Sequence, residues 1–131
     1  MSLNLEFIHH VAIICSDYER SKKFYTEILG LKIIAENYRE ERKSYKLDLA
    51  VGKSSQIELF SFPEAPPRVT NPEAQGLRHL SFAVSNIDQQ IELLKQQGVE
   101  VLPVRIDEYT GKRFAFFFDP DGLPLELYEQ V

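Results

Sequence analysis

Two histidines and two glutamates recur along this chain in the same order and at nearly the same spacing. His10 lies in Ile8-His9-His10-Val11-Ala12-Ile13-Ile14, and His79 opens His79-Leu80-Ser81-Phe82-Ala83-Val84. Both are short apolar runs that read as strands. Glu58 lies in Ile57-Glu58-Leu59-Phe60 and Glu126 in Leu125-Glu126-Leu127-Tyr128. The separations from His10 to His79 and from Glu58 to Glu126 differ by a single residue, a slip that one loop absorbs. Neutral imidazole and carboxylate form the ligand set of Zn, Ni, Co, Mn or Fe(II). Burying two carboxylates without a cation is costly, and a divalent metal removes that cost. His10, Glu58, His79 and Glu126 are therefore candidate ligands of one divalent cation. Any one of them alone would read as an edge or surface residue; their recurrence at matching positions sets them apart.

The elements that must position these residues also occur twice. After the first strand, Ser16-Asp17 offers a helix N-cap, and Phe24, Tyr25, Ile28 and Leu29 follow at helical spacing within Tyr18 to Leu29. Gly30 stands where a left-handed C-cap belongs. In the second half Ser85-Asn86 repeats the cap, Ile87, Ile91 and Leu94 the stripe, and Gly98 the stop. Strands then follow at Leu31 to Ala35, Tyr45 to Val51 and Gln56 to Phe60, and again at Val99 to Val104, Arg113 to Asp119 and Leu123 to Glu129. Self-similarity at a fixed period decides architecture. Here it predicts an α+β fold of two tandem βαβββ modules, whose curved mixed sheets surround a metal-binding cavity. Module one covers about 5–62, module two about 76–131, and the proline-rich stretch of about 63–75 is an extended linker. Asp119-Pro120-Asp121-Gly122 is a hairpin turn.

Strand alternation assigns faces. His10 shares a face with Ala12 and Ile14, His79 with Ser81 and Ala83, and each Glu points away from its leucine or isoleucine neighbours. One face of each module thus suits packing beneath the helix, and the other carries a His and a Glu. His9 points away from His10 by the same rule and reads as a structural or surface residue.

The bulk composition narrows the function. With 131 residues, 44% hydrophobic and 27% charged, the chain suits one compact domain or two fused halves. A net charge of -5 with scattered Lys and Arg argues against nucleic acid as a partner. The mixed-sign run Tyr38 to Lys43 reads as a solvated, salt-bridged surface. Membrane is a poor partner too, because no apolar run approaches the roughly 20 residues that span a bilayer. The single cysteine, Cys15, excludes an internal disulfide and fits a reducing cytoplasm. No second Cys matches it, Ser54-Ser55 lacks a nucleophile-elbow context, and no glycine-rich phosphate loop occurs. Phe114, Phe116, Phe117 and Phe118 read as core, with one face turned to the pocket. Arg78, Arg105, Lys112 and Arg113 are the basic residues that could meet substrate charge.

The stretches HHVAIICSDYERSKKFYTEILGLKI, QIELF, GLRHLSFAV and FFDPDGLPLELYE resemble the vicinal-oxygen-chelate superfamily over nearly the whole chain. That superfamily includes glyoxalase I, bleomycin- and fosfomycin-resistance proteins, methylmalonyl-CoA epimerase and extradiol dioxygenases. The His-Glu-His-Glu set is similar to that of bacterial glyoxalase I, which implies Ni, Co or Zn on His10, Glu58, His79 and Glu126. Dioxygenases and fosfomycin-resistance enzymes use two His and one Glu, and the epimerases often carry Gln at the place of Glu58. The resemblance implies a lyase or isomerase acting on a small α-hydroxycarbonyl compound or hemithioacetal through an enediolate. Glu126 is then the proton-moving carboxylate, with Glu58 opposite. A metal-dependent dioxygenase or thiol transferase, and a non-enzymatic small-molecule-binding protein, are the alternatives. Two positions depart from glyoxalase I. Its Arg four residues after the first ligand His is Ile14 here, and the Gly before its second His is Arg78. The resemblance therefore implies the metal chemistry without implying glutathione. With two modules per chain, it also implies a homodimer.

Overall fold

The computed structural model describes residues 1–130, and the chain divides into two compact units, Met1–Pro66 and Pro67–Val131. The first contains β1 (His10–Cys15), α1 (Tyr18–Lys23), β2 (Lys32–Arg39), β3 (Ser44–Val51) and β4 (Ser55–Ser61). The second repeats the order as β5 (Leu80–Val84), α2 (Ile87–Gln96), β6 (Arg105–Ile106), β7 (Arg113–Phe118) and β8 (Pro124–Glu129). Each unit folds as one four-stranded mixed sheet, ordered β1-β4-β3-β2 and β5-β8-β7-β6. In each, the first strand runs parallel to the last and the other pairings are antiparallel. This is the expected βαβββ module, present twice in an α+β fold.

Alternating side chains explain why each sheet has one buried face. Leu47 and Leu49 of β3 stand across the ladder from Leu59 and Ile57 of β4, and all four are fully buried. Ile13 and Cys15 of β1 join them, and α1 packs against β4. In the second unit Ala115 and Phe117 face Leu127 and Leu125, beneath Ile87, Ile91 and Leu94 of α2. Full burial of each such aliphatic side chain stabilises by about 1.5–3 kcal/mol. The caps form as the sequence predicts. Asp17 accepts from the Arg20 N–H and Asn86 from the Gln89 N–H, each at 3.2 Å. Gly98 ends α2 in the left-handed region at φ +81°, where a side chain would be strained.

Four expectations need correction. The helix expected over Tyr18 to Leu29 is α-helical only to Lys23, and a wider π-type turn runs from Phe24 to Ile28. That turn sends the adjacent Phe24 and Tyr25 both into the core, with their rings edge to face. The strand expected at Val99 to Val104 does not form. Pro103 has no N–H for the ladder, so one bond, Leu102 N–H to the Phe116 carbonyl, precedes the short pairing at Arg105–Ile106. β2 extends past Ala35 to Arg39, with a register shift between Ile33 and Ala35. Finally, the mixed-sign run is not all solvated surface. The Arg39 guanidinium lies over the Phe60 and Phe62 rings and donates to the Ser44 hydroxyl. Among the described residues, no helix is long and apolar enough to cross a membrane.

Candidate functional site

In the first unit, His10 begins β1 and Glu58 occupies β4, on the face turned away from the buried leucines. Parallel pairing sets Ala12 beside Glu58, so His10 lies one pleat along from it on the same side. Its Nδ1 is 3.4 Å from Glu58 Oε2. The Glu58 side chain keeps only 14% of its exposure, whereas His10 keeps 42%. Cross-strand pairing places Asp48 of β3 directly opposite Glu58. Lys46 Nζ is 2.6 Å from Asp48 Oδ1 and 3.8 Å from Glu58 Oε1. A lysine thus stands between two carboxylates, which offsets the cost of holding them together.

The sequence reading missed Lys46 and Asp48. Their signal was present in Tyr45-Lys46-Leu47-Asp48-Leu49, where polar residues alternate with buried leucines. Counting the β3–β4 register would have set Asp48 against Glu58. His9 is exposed, as expected of a surface residue, but it does not point away from His10. It precedes β1, so strand alternation does not govern it, and its Nδ1 comes within 3.1 Å of His10 Nδ1.

The second unit builds a counterpart from different neighbours. His79 Nε2 is 3.8 Å from Glu126 Oε1, and the Glu126 side chain is 11% exposed. Ser81 of β5 and Phe116 of β7 flank Glu126 across the ladders. The Phe116 ring meets the His79 ring edge to face at 5.1 Å. Phe114 lies edge-on to Phe116 and parallel to Tyr128. Phe117 belongs to the buried core, while Phe114 and Phe116 are half-buried on the face that carries Glu126. The Tyr128 hydroxyl donates to Asp107 and pairs with the Thr110 hydroxyl, fastening the loop between β6 and β7. Asp107 is held below the usual carboxylate range by the Tyr109 N–H and then by Tyr128.

Of the four basic residues considered for substrate charge, two are engaged elsewhere. Arg113 bridges Asp88 and Glu129. Arg78 pairs with Glu73 and approaches His79 Nδ1 at 3.2 Å.

Each unit therefore brings together its own histidine and its own sheltered glutamate. One imidazole nitrogen and one carboxylate oxygen per unit suit a borderline divalent cation. Among the described residues, no group of three or more His, Cys, Asp or Glu side chains is placed to hold a metal ion. The donor chemistry fits such an ion as two half-sets.

The family model described as Glyoxalase/Bleomycin resistance protein/Dioxygenase superfamily matches residues 7–127. The chain is 62% identical to YwkD of Bacillus subtilis strain 168, over 96% of its length and 98% of that protein. It is 55% identical to YaeR of Escherichia coli strain K12, over 98% and 99%. The solved structure of SMU.1112c is similar with a TM-score of 0.92 and 47% identity, covering 96% of this chain and 100% of that one. More distant are a lactoylglutathione lyase of Escherichia coli O157:H7 and the metallothiol transferase FosB of Staphylococcus saprophyticus. They are 30% and 28% identical, over 92% and 95% of this chain and 90% and 77% of the respective relatives.

Proposed function

Because this chain belongs to the glyoxalase/bleomycin resistance protein/dioxygenase superfamily, we propose that it is a divalent-metal-dependent lyase or isomerase of the glyoxalase I type. Its proposed substrate is a small α-hydroxycarbonyl compound or hemithioacetal. His10, Glu58, His79 and Glu126 are the proposed ligands of one ion, with Ni, Co or Zn favoured over Mn or Fe. The observation that carries this reading is the recurrence, in both units, of a histidine beside a sheltered glutamate on the non-helix face. The lactoylglutathione lyase among the relatives supports the reaction class.

A bound ion would act as a Lewis acid toward the substrate carbonyl. Glu126 removes a proton from the carbon next to that carbonyl, and the electron pair left behind moves toward the oxygen. The same carboxyl then returns the proton to the neighbouring carbon while the hydroxyl proton passes to the former carbonyl oxygen, so the isomerisation balances without oxidant or reductant. Phe116 and His79 shelter one side of Glu126 from water. Glu58 is the counterpart carboxylate of the first unit. A homodimer and a cytoplasmic location belong to the same proposal. A second reading, a metal-dependent thiol transferase, is favoured only by the FosB relative, and thiol-adduct formation would distinguish it.

The test is elemental analysis of protein purified without chelator, beside His10→Ala. About one divalent ion per chain, lost in the variant, is expected. A wild type that stays metal-free after reconstitution would overturn the enzymatic reading and leave a small-molecule-binding protein.

A further inference from the structure

Within the second unit, Arg105 differs from the other arginines. Arg68 donates to the Thr70 hydroxyl and to the carbonyls of Leu77 and Arg78, and the guanidinium groups of Arg78 and Arg113 pair with carboxylates. Arg105 is exposed, and among the described residues no carboxylate stands within ion-pair distance of it. Its nearest acidic neighbour in sequence, Asp107, takes hydrogen bonds from the Tyr109 N–H and the Tyr128 hydroxyl. What Arg105 does contact is an aromatic ring. It pairs with Phe114 across the β6–β7 ladder, and its guanidinium carbon lies 5.4 Å from the Phe114 centroid.

That ring begins a continuous strip. Phe114 meets Phe116 edge to face at 6.0 Å, and Phe116 meets His79 in the same way at 5.1 Å. Phe116 stands across the ladder from Glu126. One sheet face thus carries, in order, a guanidinium with no carboxylate partner among the described residues, two half-buried phenyl rings and the His79–Glu126 pair. A guanidinium laid over a ring keeps its donor edge free for a bidentate oxyanion, and the ring favours the cation it faces. Half-buried rings beside it favour an apolar, preferably planar, group.

We propose that this strip binds an organic oxyanion, with its carboxylate or phosphate on Arg105 and its apolar part along Phe114 and Phe116. The reacting end of such a molecule would point toward Glu126. This rests on the proposed function for the role of Glu126, but not for the binding of the anion. It also supplies a substrate class. The α-hydroxycarbonyl compound would be acidic and would carry an apolar segment between its charged and reacting ends.

The experiment titrates benzoate, phenyl phosphate, acetate and benzyl alcohol into the protein as purified, followed by heteronuclear NMR, with metal content measured on each sample. Benzoate or phenyl phosphate is expected to shift the resonances of Arg105, Phe114 and Phe116. Acetate, which lacks the ring, and benzyl alcohol, which lacks the charge, should each bind about tenfold more weakly. The stronger of the two aromatic anions identifies carboxylate or phosphate as the natural group. Arg105→Ala should weaken the aromatic anions about tenfold, and Arg105→Lys should recover part of the loss because it keeps the charge without the fork. Unchanged benzoate and phenyl phosphate affinity in Arg105→Ala overturns the inference. So does anion binding that His79→Ala abolishes while Arg105→Ala spares, since that places the oxyanion on the metal. Metal-free protein with Arg105-dependent binding upholds this inference and sinks the proposed enzyme. Metal-loaded protein without aromatic-anion binding does the reverse.

Discussion

Asp48 stands across the strand ladder from Glu58 in the place that Phe116 holds relative to Glu126. The two repeats therefore keep the same backbone and the same His–Glu pair but surround the glutamates with opposite chemistry. Glu58 has Lys46 within 3.8 Å and a second carboxylate beside it, whereas Glu126 has a phenyl ring. A carboxylate that must exchange a proton with carbon works best where no fixed cation competes for its charge. That asymmetry favours Glu126 as the proton carrier and Glu58 as the steadier anchor.

Replacing Glu126 by Gln should keep the shape of the site while removing the base. Turnover of the identified substrate is expected to fall by about 10²–10⁴, with Glu58→Gln losing less turnover and more metal. Steady-state kinetics with matched elemental analysis decides the matter. Equal turnover in Glu126→Gln and wild type, at equal metal content, would remove Glu126 from the mechanism.

Lys46 should matter most when no cation is bound. Lys46→Met leaves Asp48 and Glu58 facing one another unneutralised, and a double-mutant cycle with Asp48→Asn should give a coupling of about 0.5–1 kcal/mol by chemical denaturation. Added divalent metal should recover more stability in Lys46→Met than in wild type. A coupling near zero would mean that the 2.6 Å Lys46–Asp48 contact is energetically idle.

Most of the fold and half of the site were legible from the chain. The repeat was visible because the His-bearing and Glu-bearing runs recur at nearly the same spacing, and because Asp17, Asn86, Gly30 and Gly98 punctuate the helices. The His and Glu positions followed from their recurrence, with alternation assigning the face they share. Lys46 and Asp48 did not, because they join Glu58 through cross-strand register, which a pass along single strands leaves uncounted. Arg105 could not be ranked above Arg78 and Arg113 because ion pairing with Glu73, Asp88 and Glu129 spans turns and separate elements. β6 was misplaced because a proline inside an apolar run outweighed the run's strand propensity.

Acid should loosen both units through carboxylates outside the metal-ligand set. Hydrogen bonds from Lys22 and then Tyr18 hold Glu36 below its ordinary value of 4.5, and Arg113 does the same for Glu129. A depressed carboxylate contributes stability above its unfolded-state value and loses it as the pH falls through its folded-state value. The melting temperature is therefore expected to fall as the pH drops below about 4.5. Glu36→Gln should flatten that dependence. Tyr18 acts at the other extreme. Burial and then Glu36 push its phenol well above the usual tyrosine range, so its contribution persists below the unfolded value and is lost only in strong base. A spectroscopic tyrosine titration should show a late-ionising phenol that is missing in Tyr18→Phe.

Arg78 is expected to oppose metal binding. A guanidinium only donates, so its approach to His79 Nδ1 at 3.2 Å makes that nitrogen the acceptor. The proton of the neutral ring then sits on Nε2, the nitrogen 3.8 Å from Glu126 Oε1. For Nε2 to bind a cation, the proton must move to Nδ1 and Arg78 must turn away, with Glu73 at hand to hold it. Arg78→Ala removes both the competing donor and a like charge beside the incoming ion. Divalent metal should therefore bind several-fold more tightly to Arg78→Ala, a smaller change than the roughly 10–100-fold effects that mutating partners of metal ligands produces. Competition with a chromophoric chelator measures this directly. Weaker binding in Arg78→Ala would instead make the arginine a support for His79, holding the ring in place for the ion.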